Sequence, residues 1–237
     1  MNEGSSTGVE RFDSVIIGGG PAGLSAALVL GRARRRVLLC DTGQQRNRRA
    51  ESMHGYLTRD GIPPGEFIRI ARRELAAYDS VLLCDVEVVD ALTVEGGFEV
   101  RLADGERVRG DTLLVATGVV DDIPPIDGIE SLYGHTVHHC PYCDGWEHRD
   151  EPLAVYGCGE AVGQFALGLL QWSRDVVICS DGPHGYSGEL LAQLERHGVA
   201  VREERVVRLE GRDGRLERVV FQEGPPLERS ALFFSTG

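Results

Sequence analysis

Residues 13–41 read DSVIIGGGPAGLSAALVLGRARRRVLLCD, and the same order of signals returns at 153–182 in LAVYGCGEAVGQFALGLLQWSRDVVICSDG. In each stretch a short apolar run meets a glycine cluster, then a helical pattern, then a second apolar run. The first copy runs from Val15, Ile16 and Ile17 into Gly18, Gly20 and Gly23. Leu24, Leu28 and Gly31 then recur on one helical face, and Val37 to Cys40 ends at Asp41. Gly157 follows Gly18, and Val176 follows Val37, by the same 139 positions. Each half also carries an Asp-Gly hairpin signal, at Asp104-Gly105 and at Asp213-Gly214. Each closes on a similar strand, DTLLVATG ending at Gly118 and ALFFSTG ending at Gly237. A spacing kept across several independent signals predicts two units built on one plan.

Strand, glycine turn, helix and strand in succession define the α/β class with Rossmann-like, three-layer nucleotide-binding domains. We place them at 12–120 and 121–237, joined through the proline-rich VVDDIPPIDG at 119–128, with 1–11 expected to be a disordered lead-in. Gly18 permits the tight turn, Gly20 lets the backbone approach a pyrophosphate, and Gly23 lets helix and strand pack closely. The helix N-terminus offers unpaired N–H groups to phosphates. Asp41, 18 residues after Gly23, is placed to accept hydrogen bonds from an adenosine ribose. The second copy differs. Gly157 and Gly159 remain, but Val162 stands at the third glycine position and is expected to crowd the helix–strand contact. Ser180 stands where the first copy has Asp41, with Asp181 next. No Arg or Lys lies between 175 and 195 to neutralise a 2′-phosphate, and Ser180 or Asp181 favours NADH over NADPH if a nucleotide binds there.

The formal net charge of −12 argues against nucleic acid or an anionic membrane surface as partner. Neither a signal-peptide core nor an apolar run of membrane-spanning length is evident, and a cytoplasmic location is expected. One basic cluster, Arg32 to Arg49, reads as a solvated surface, with contact to a phosphate-bearing cofactor as the other reading. Of the six cysteines, Cys40, Cys84 and Cys179 lie in VLLC, VLLC and VVIC runs and read as buried, reduced strand thiols.

Only Cys140 and Cys143, in HHCPYCDGWE, have redox-motif spacing. A thiol opening a helix feels its dipole, which suits dithiol–disulfide exchange. Pro141 stiffens the loop, Gly145 permits a close approach, and Asp144 is placed to shuttle a proton. Zinc would need four ligands. The neighbouring His138 and His139 rarely converge on one tetrahedral centre, and no second Cys-x-x-Cys exists, so no metal is expected. A glutaredoxin-like unit would place CPYC after its own first strand, whereas here it lies between two dinucleotide-type halves. For His138 and His139 a packed or surface position is the ordinary reading.

A GGGPAG turn, an ATG strand end, a Cys-x-x-Cys-Asp-Gly and a second glycine turn, in that order, resemble the low-molecular-weight thioredoxin reductases. MHGYLTRDGIPP, HCPYCDGWE and QWSRDV resemble a branch of these flavoproteins that includes the dithiol oxidases of gliotoxin- and holomycin-type natural products. The resemblance covers about residues 12–237. It implies an FAD-dependent oxidoreductase acting on sulfur, with NAD(P)H as a possible second cofactor. Gly18, Gly20, Pro21, Ala22, Gly23 and Asp41 would hold the ADP part of FAD. Arg46, Asn47 and His54 would lie towards the flavin, and Thr117 and Gly118 under the cofactor. Gly157 and Gly159 would form the second nucleotide turn. Cys143 would face the flavin, Cys140 would exchange with the substrate, and Asp144 would act as acid and base. A small dithiol or disulfide, or a thioredoxin-like protein, is the implied substrate, and a homodimer the implied assembly.

Three departures from that pattern matter. The reductases carry a basic HRR-type segment after the second unit's second strand, and this chain reads CSDGPHG there. Asp144 matches the reductases, while the HCPYC branch often has histidine at that place. The family continues into a C-terminal segment whose Gly-Asp motif returns to the FAD domain, and FFSTG comes before it. Without that segment FAD is expected to lose contacts and the first unit to show an exposed edge. Three functional readings follow: a reductase, an oxygen-using dithiol oxidase, and a non-catalytic interaction module.

Overall fold

The computed structural model describes residues 9–235. Its described residues divide into two compact units, one of 9–48 and 64–120, the other of 49–63 and 121–235. Most of the expected disordered lead-in lies outside the described residues. Glu10 and Arg11, however, already belong to a strand: they pair with Val108 and Arg109, and Arg11 bridges to Asp111. Ladder pairing to an inner strand orders them despite their polarity.

The first unit contains β1 (Glu10–Ile17), α1 (Pro21–Arg32), β2 (Val37–Cys40), α2 (Pro64–Leu75), β3 (Val81–Cys84), β4 (Val88–Val94), β5 (Gly97–Leu102) and β6 (Arg107–Val115). They form one sheet in the order β3-β2-β1-β6-β5-β4. The pairs β3–β2, β2–β1 and β1–β6 are parallel, and β6–β5 and β5–β4 antiparallel. The run VLLC of β2 is buried at all four positions because both faces are covered. Val37 and Leu39 pack with Leu24, Ala27 and Leu75 on the helical side. Leu38 and Cys40 pack with Val100, Leu102 and Val108 on the other. The three layers are therefore helices, parallel sheet and antiparallel meander. The basic cluster at Arg32, Arg34, Arg35 and Arg36 is exposed, as its solvated reading expects.

The second unit repeats the plan with α3 (Ile129–Leu132), β7 (Val137–His138), α4 (Pro141–Asp144), β8 (Leu153–Tyr156), α5 (Glu160–Leu169), β9 (Val176–Cys179), α6 (Gly188–Arg196), β10 (Ala200–Arg202), β11 (Val206–Arg212), β12 (Arg215–Phe221), β13 (Leu227–Glu228) and β14 (Ala231–Phe234). Its parallel sheet runs β10-β9-β8-β14-β7, with a separate antiparallel sheet β11-β12-β13. The alternation holds again. Leu153, Val155 and Ile178 pack against α5 and α6, while Ala154, Cys179 and Leu232 face Leu209, Leu216 and Phe221 of the antiparallel sheet. The β11–β12 hairpin turns on Asp213 (φ 52°) and Gly214 (φ 76°), the two positive values a tight type I′ turn needs. Beyond β14 the sheet gains β7, whose His138 is registered beside Phe233. That added edge strand delivers the chain to Cys140.

Candidate active site

In the first unit, β1 ends at Gly18, whose φ of +106° and N–H bond to the Cys40 carbonyl (2.8 Å) turn the chain sharply. A Cβ on Gly18 would stand 2.3 Å from the Ala116 oxygen, and one on Gly23 only 1.9 Å from the Gly18 oxygen. Gly20 caps α1 with no side chain bonded to the helix end, Pro21 opens the first turn, and nothing lies within 4 Å of a Cβ on Gly20. Pro21 and Ala22 are exposed. The first turn carries no acid, so its free N–H groups and dipole present an unopposed positive end. Asp41, 8% exposed, accepts from the Gly19 N–H (3.1 Å) and the Gln45 amide (3.0 Å). Thr117 and Gly118 follow β6 in exposed backbone, Arg46 is exposed and Asn47 half-buried. A glycine cradle with open space beside Gly20, an uncapped helix end and an adjacent carboxylate fit the ADP part of a dinucleotide such as FAD.

The second unit has the same turn in weaker form. Gly157 (φ +126°) bonds the Cys179 carbonyl, and Gly159 (φ +85°) caps α5 with open space beside it. The crowding expected from Val162 does not arise, because its methyls fill the room left by Gly157, where a Cβ would come within 3.2 Å. The strand-end residues are committed elsewhere. The buried Ser180 hydroxyl donates to the Gly182 carbonyl (2.6 Å). Asp181 accepts from the Tyr156 hydroxyl (3.0 Å) and the Val206 N–H (2.7 Å). The turn fits a pyrophosphate, but neither Ser180 nor Asp181 faces it as Asp41 faces the first.

Cys140 occupies the N-cap of α4, which is a single turn closed by N–H bonds from Cys143 and Asp144 to the Cys140 carbonyl (3.2 and 3.3 Å). Neither cysteine is in a disulfide; Cys140 is half-buried and Cys143 exposed. One turn carries only part of the dipole that the sequence pattern suggests. Gly145 allows the indole of Trp172 to approach, with a would-be Cβ 2.9 Å from the ring. Trp172 also meets the edge of the exposed Tyr142, ring centres 5.3 Å apart.

Around this turn His138, His139 and Asp144 meet groups that the sequence did not single out: His148, Glu151, Tyr133 and Asp121. His138, only 5% exposed, has Nδ1 3.4 Å from the Asp144 carboxylate and Nε2 3.1 Å from Nε2 of His148. Nδ1 of His148 then lies 3.0 Å from Glu151. His139 takes a different partner: its Nδ1 lies 3.1 Å from the Tyr133 hydroxyl, which donates to Asp121 at 2.5 Å. The i, i+3 spacing of His148 and Glu151 was the only sequence signal for this set. His54, expected with Arg46 and Asn47, groups with the second unit, between Asp60 and Glu147 at 3.6 Å each. His54, Asp144, His148 and Glu151 all line one cleft of about 820 Å³. Among the described residues no set of three or more His, Cys, Asp or Glu side chains is arranged to hold a metal.

The buried strand cysteines differ from the pair. Burial raises the thiol pKa of Cys40 and of Cys179 to about 12, which leaves them poor nucleophiles. Cys84, expected to be buried, is only half-buried on the outer strand β3, and its thiol is raised as well, chiefly by desolvation.

Two dinucleotide-type turns in one chain, with a Cys-x-x-Cys turn in the second unit, define the class of enzymes that exchange electrons between a bound dinucleotide and sulfur. The comparisons agree. Residues 12–237 match the family model described as pyridine nucleotide-disulphide oxidoreductase, and the chain belongs to that family, whose members bind FAD and draw electrons from NAD(P)H. It is 37% identical over 192 residues to a "Probable thioredoxin reductase" of Arthroderma benhamiae, covering 78% of this chain and 47% of that protein. It is 33% identical to the thioredoxin reductase aclD of Aspergillus oryzae, covering 93% of this chain and 73% of the relative. The crystal structure of an oxidoreductase from Agrobacterium tumefaciens superimposes with a TM-score of 0.88 at 37% identity, covering 94% of this chain and 74% of that one. The chain thus spans about half the length of the first of these relatives. No helix among the described residues is long and apolar enough to cross a membrane.

Proposed function

We propose that the chain acts as an FAD-dependent dithiol/disulfide oxidoreductase, with residues 12–120 as the FAD-binding domain and 121–237 as the pyridine-nucleotide-like domain. Gly18, Gly20, Pro21, Ala22, Gly23 and Asp41 hold the ADP part of FAD. Arg46, Asn47, His54, Thr117 and Gly118 complete its surroundings, and Gly157 and Gly159 form the nicotinamide-nucleotide turn. When bound, the flavin supplies two-electron chemistry. Cys140 and Cys143 form the exchanging pair, and Asp144 holds or releases the thiol proton. The observation that carries this reading is a Cys-x-x-Cys pair without a disulfide, Cys140 half-buried and Cys143 exposed, on a turn whose next residue, Asp144, lies beside a buried histidine. The substrate is a small dithiol or disulfide, or a thioredoxin-like protein. A homodimer in the cytoplasm suits the family resemblance and the free thiols at Cys40 and Cys179.

An oxygen-using dithiol oxidase is the second reading. It is favoured by the commitment of Ser180 and Asp181 to internal bonds, which leaves no evident recognition of a nucleotide ribose or 2′-phosphate. Anaerobic mixing of the FAD-loaded chain with NADPH, NADH or a small dithiol separates the readings. Bleaching of the yellow absorbance by NADPH supports a reductase. Bleaching by the dithiol alone, reversed by oxygen, supports the oxidase. A folded, colourless protein that takes up no FAD overturns both and leaves an interaction module. Cys140→Ser and Cys143→Ser should each abolish turnover, and unchanged turnover removes the pair from the mechanism.

A further inference from the structure

We infer that Asp144, His138, His148 and Glu151 form a proton relay between the dithiol turn and solvent, with His148 as its positioning residue. The inference rests on the reading of Cys140 and Cys143 as the exchanging pair, whose thiols must lose and regain protons as the disulfide closes and opens.

The four side chains come from separate places: His138 from β7, Asp144 from the end of α4, and His148 and Glu151 from the loop before β8. They nonetheless make three consecutive contacts of 3.4, 3.1 and 3.0 Å. Phe233 holds both rings, with centroids 5.4 Å from His138 and 6.4 Å from His148. The side chains of His138 and His148 are 5% and 12% exposed, those of Asp144 and Glu151 22% and 45%. Two sheltered imidazoles therefore join two carboxylates that reach water to different extents.

Proton counting gives the arrangement its chemistry. Each of the three gaps needs one hydrogen, because an ionised carboxylate only accepts and a bare ring nitrogen only accepts. Two neutral imidazoles bring two N–H groups, so the third gap closes only when the set holds one extra proton. That proton has two terminal placements. It sits on Asp144, with His138 donating through Nε2 to His148 and His148 through Nδ1 to Glu151. Alternatively it sits on Glu151, with both donations reversed. One placement becomes the other when a proton crosses each of the two hydrogen bonds, His138–His148 and His148–Glu151, and the longer 3.4 Å ion-pair contact between His138 and Asp144, which must shorten for the transfer. A proton taken up at Asp144 is then released at Glu151 with no net change of charge within the set. The intermediate is an imidazolium flanked by carboxylates.

Other charged groups line the same cleft: the His54–Glu147 and His135–Glu51 pairs, and Arg212, Asp213, Arg215 and Glu217 of the β11–β12 hairpin. These face the same cleft, while among the described residues His138 and His148 bridge Asp144 to Glu151.

Two measurements on the full chain test the relay. In 15N-histidine-labelled protein, NMR should show one hydrogen shared between the Nε2 atoms of His138 and His148 and a coupled titration of the two rings. Independent titration of both rings, with no such hydrogen, overturns the proposal. The second is the pH profile for reduction of a small aromatic disulfide by the reduced chain. His148→Gln keeps a hydrogen-bonding group but carries no mobile proton, and should slow this step about a hundredfold, the lower end of the range of acid–base assistance. Added imidazole should restore the rate, and Glu151→Gln should shift the profile in the same direction. Unchanged profiles in both variants, with no rescue, mean that Asp144 exchanges directly with cleft water, and the relay falls. If Cys140→Ser reduces the disulfide as fast as the parent, the exchange-pair reading fails instead, and the NMR result still decides the relay.

Discussion

The Gly19 N–H donates to the Asp41 carboxylate at 3.1 Å, and a Cβ on Gly19 would stand 2.5 Å from the carboxyl carbon. The acid that closes β2 thus braces the turn that opens α1, two points 22 residues apart. Asp41→Ala removes the acceptor from a buried N–H and should cost about 1–3 kcal/mol in urea unfolding. Asp41→Asn keeps an acceptor oxygen and should lose less. Equal losses would show that the Gly19 bond contributes nothing.

Tyr133 links His139 to Asp121: its hydroxyl donates to the Asp121 carboxylate, which favours the His139 tautomer whose Nδ1 donates to the hydroxyl oxygen. Tyr133→Phe should release that tautomer and cost about 1 kcal/mol. Ring 15N shifts of His139 unaltered by the substitution would contradict the assignment.

The cysteines should divide sharply on thiol labelling. Cys140, Cys143 and Cys158 should react with an aromatic disulfide reagent in the native protein, whereas Cys40 and Cys179 should wait for unfolding. The same burial sets an alkaline limit. In the unfolded chain these two thiols ionise near 9.0, while in the folded chain they hold their protons to about 12. The native state therefore binds more protons above pH 9, and the stability that their neutral burial contributes, complete below that pH, is lost progressively towards 12. Urea midpoints should fall across that window, and less steeply in Cys179→Ala relative to its own neutral-pH value.

Gly214 supplies the second positive φ of the β11–β12 turn, and a Cβ there would press on the His135 ring at 3.0 Å. Gly214→Ala should cost about 1–2 kcal/mol, the left-handed penalty of an L-residue, and more if His135 cannot move. Thermal unfolding of the variant reads this directly.

Much of the fold was legible because its signals are local. Apolar runs such as VLLC and VVIC, glycines needing φ above zero and Asp-Gly turns each act within a few residues, and their repetition at a fixed interval carried the plan from one unit to the other. The dithiol was legible for the same reason: its spacing is its signal. Local rules did not show that residues 49–63 leave the first unit for the second, taking His54 with them. Nor did they show that Asp181, next to the counterpart of Asp41, turns to Tyr156 and Val206.

By itself the sequence determined where chain direction changes, which faces are apolar and where two thiols lie three apart. Only the tertiary structure decided the surroundings of those thiols. His138 reads as an ordinary packed histidine until β7 docks on β14, because a hydrogen bond between imidazoles ten residues apart depends on how an edge strand and a loop meet in space. Nearest-neighbour patterning carries no record of that meeting, and packing against Phe233 fixes it.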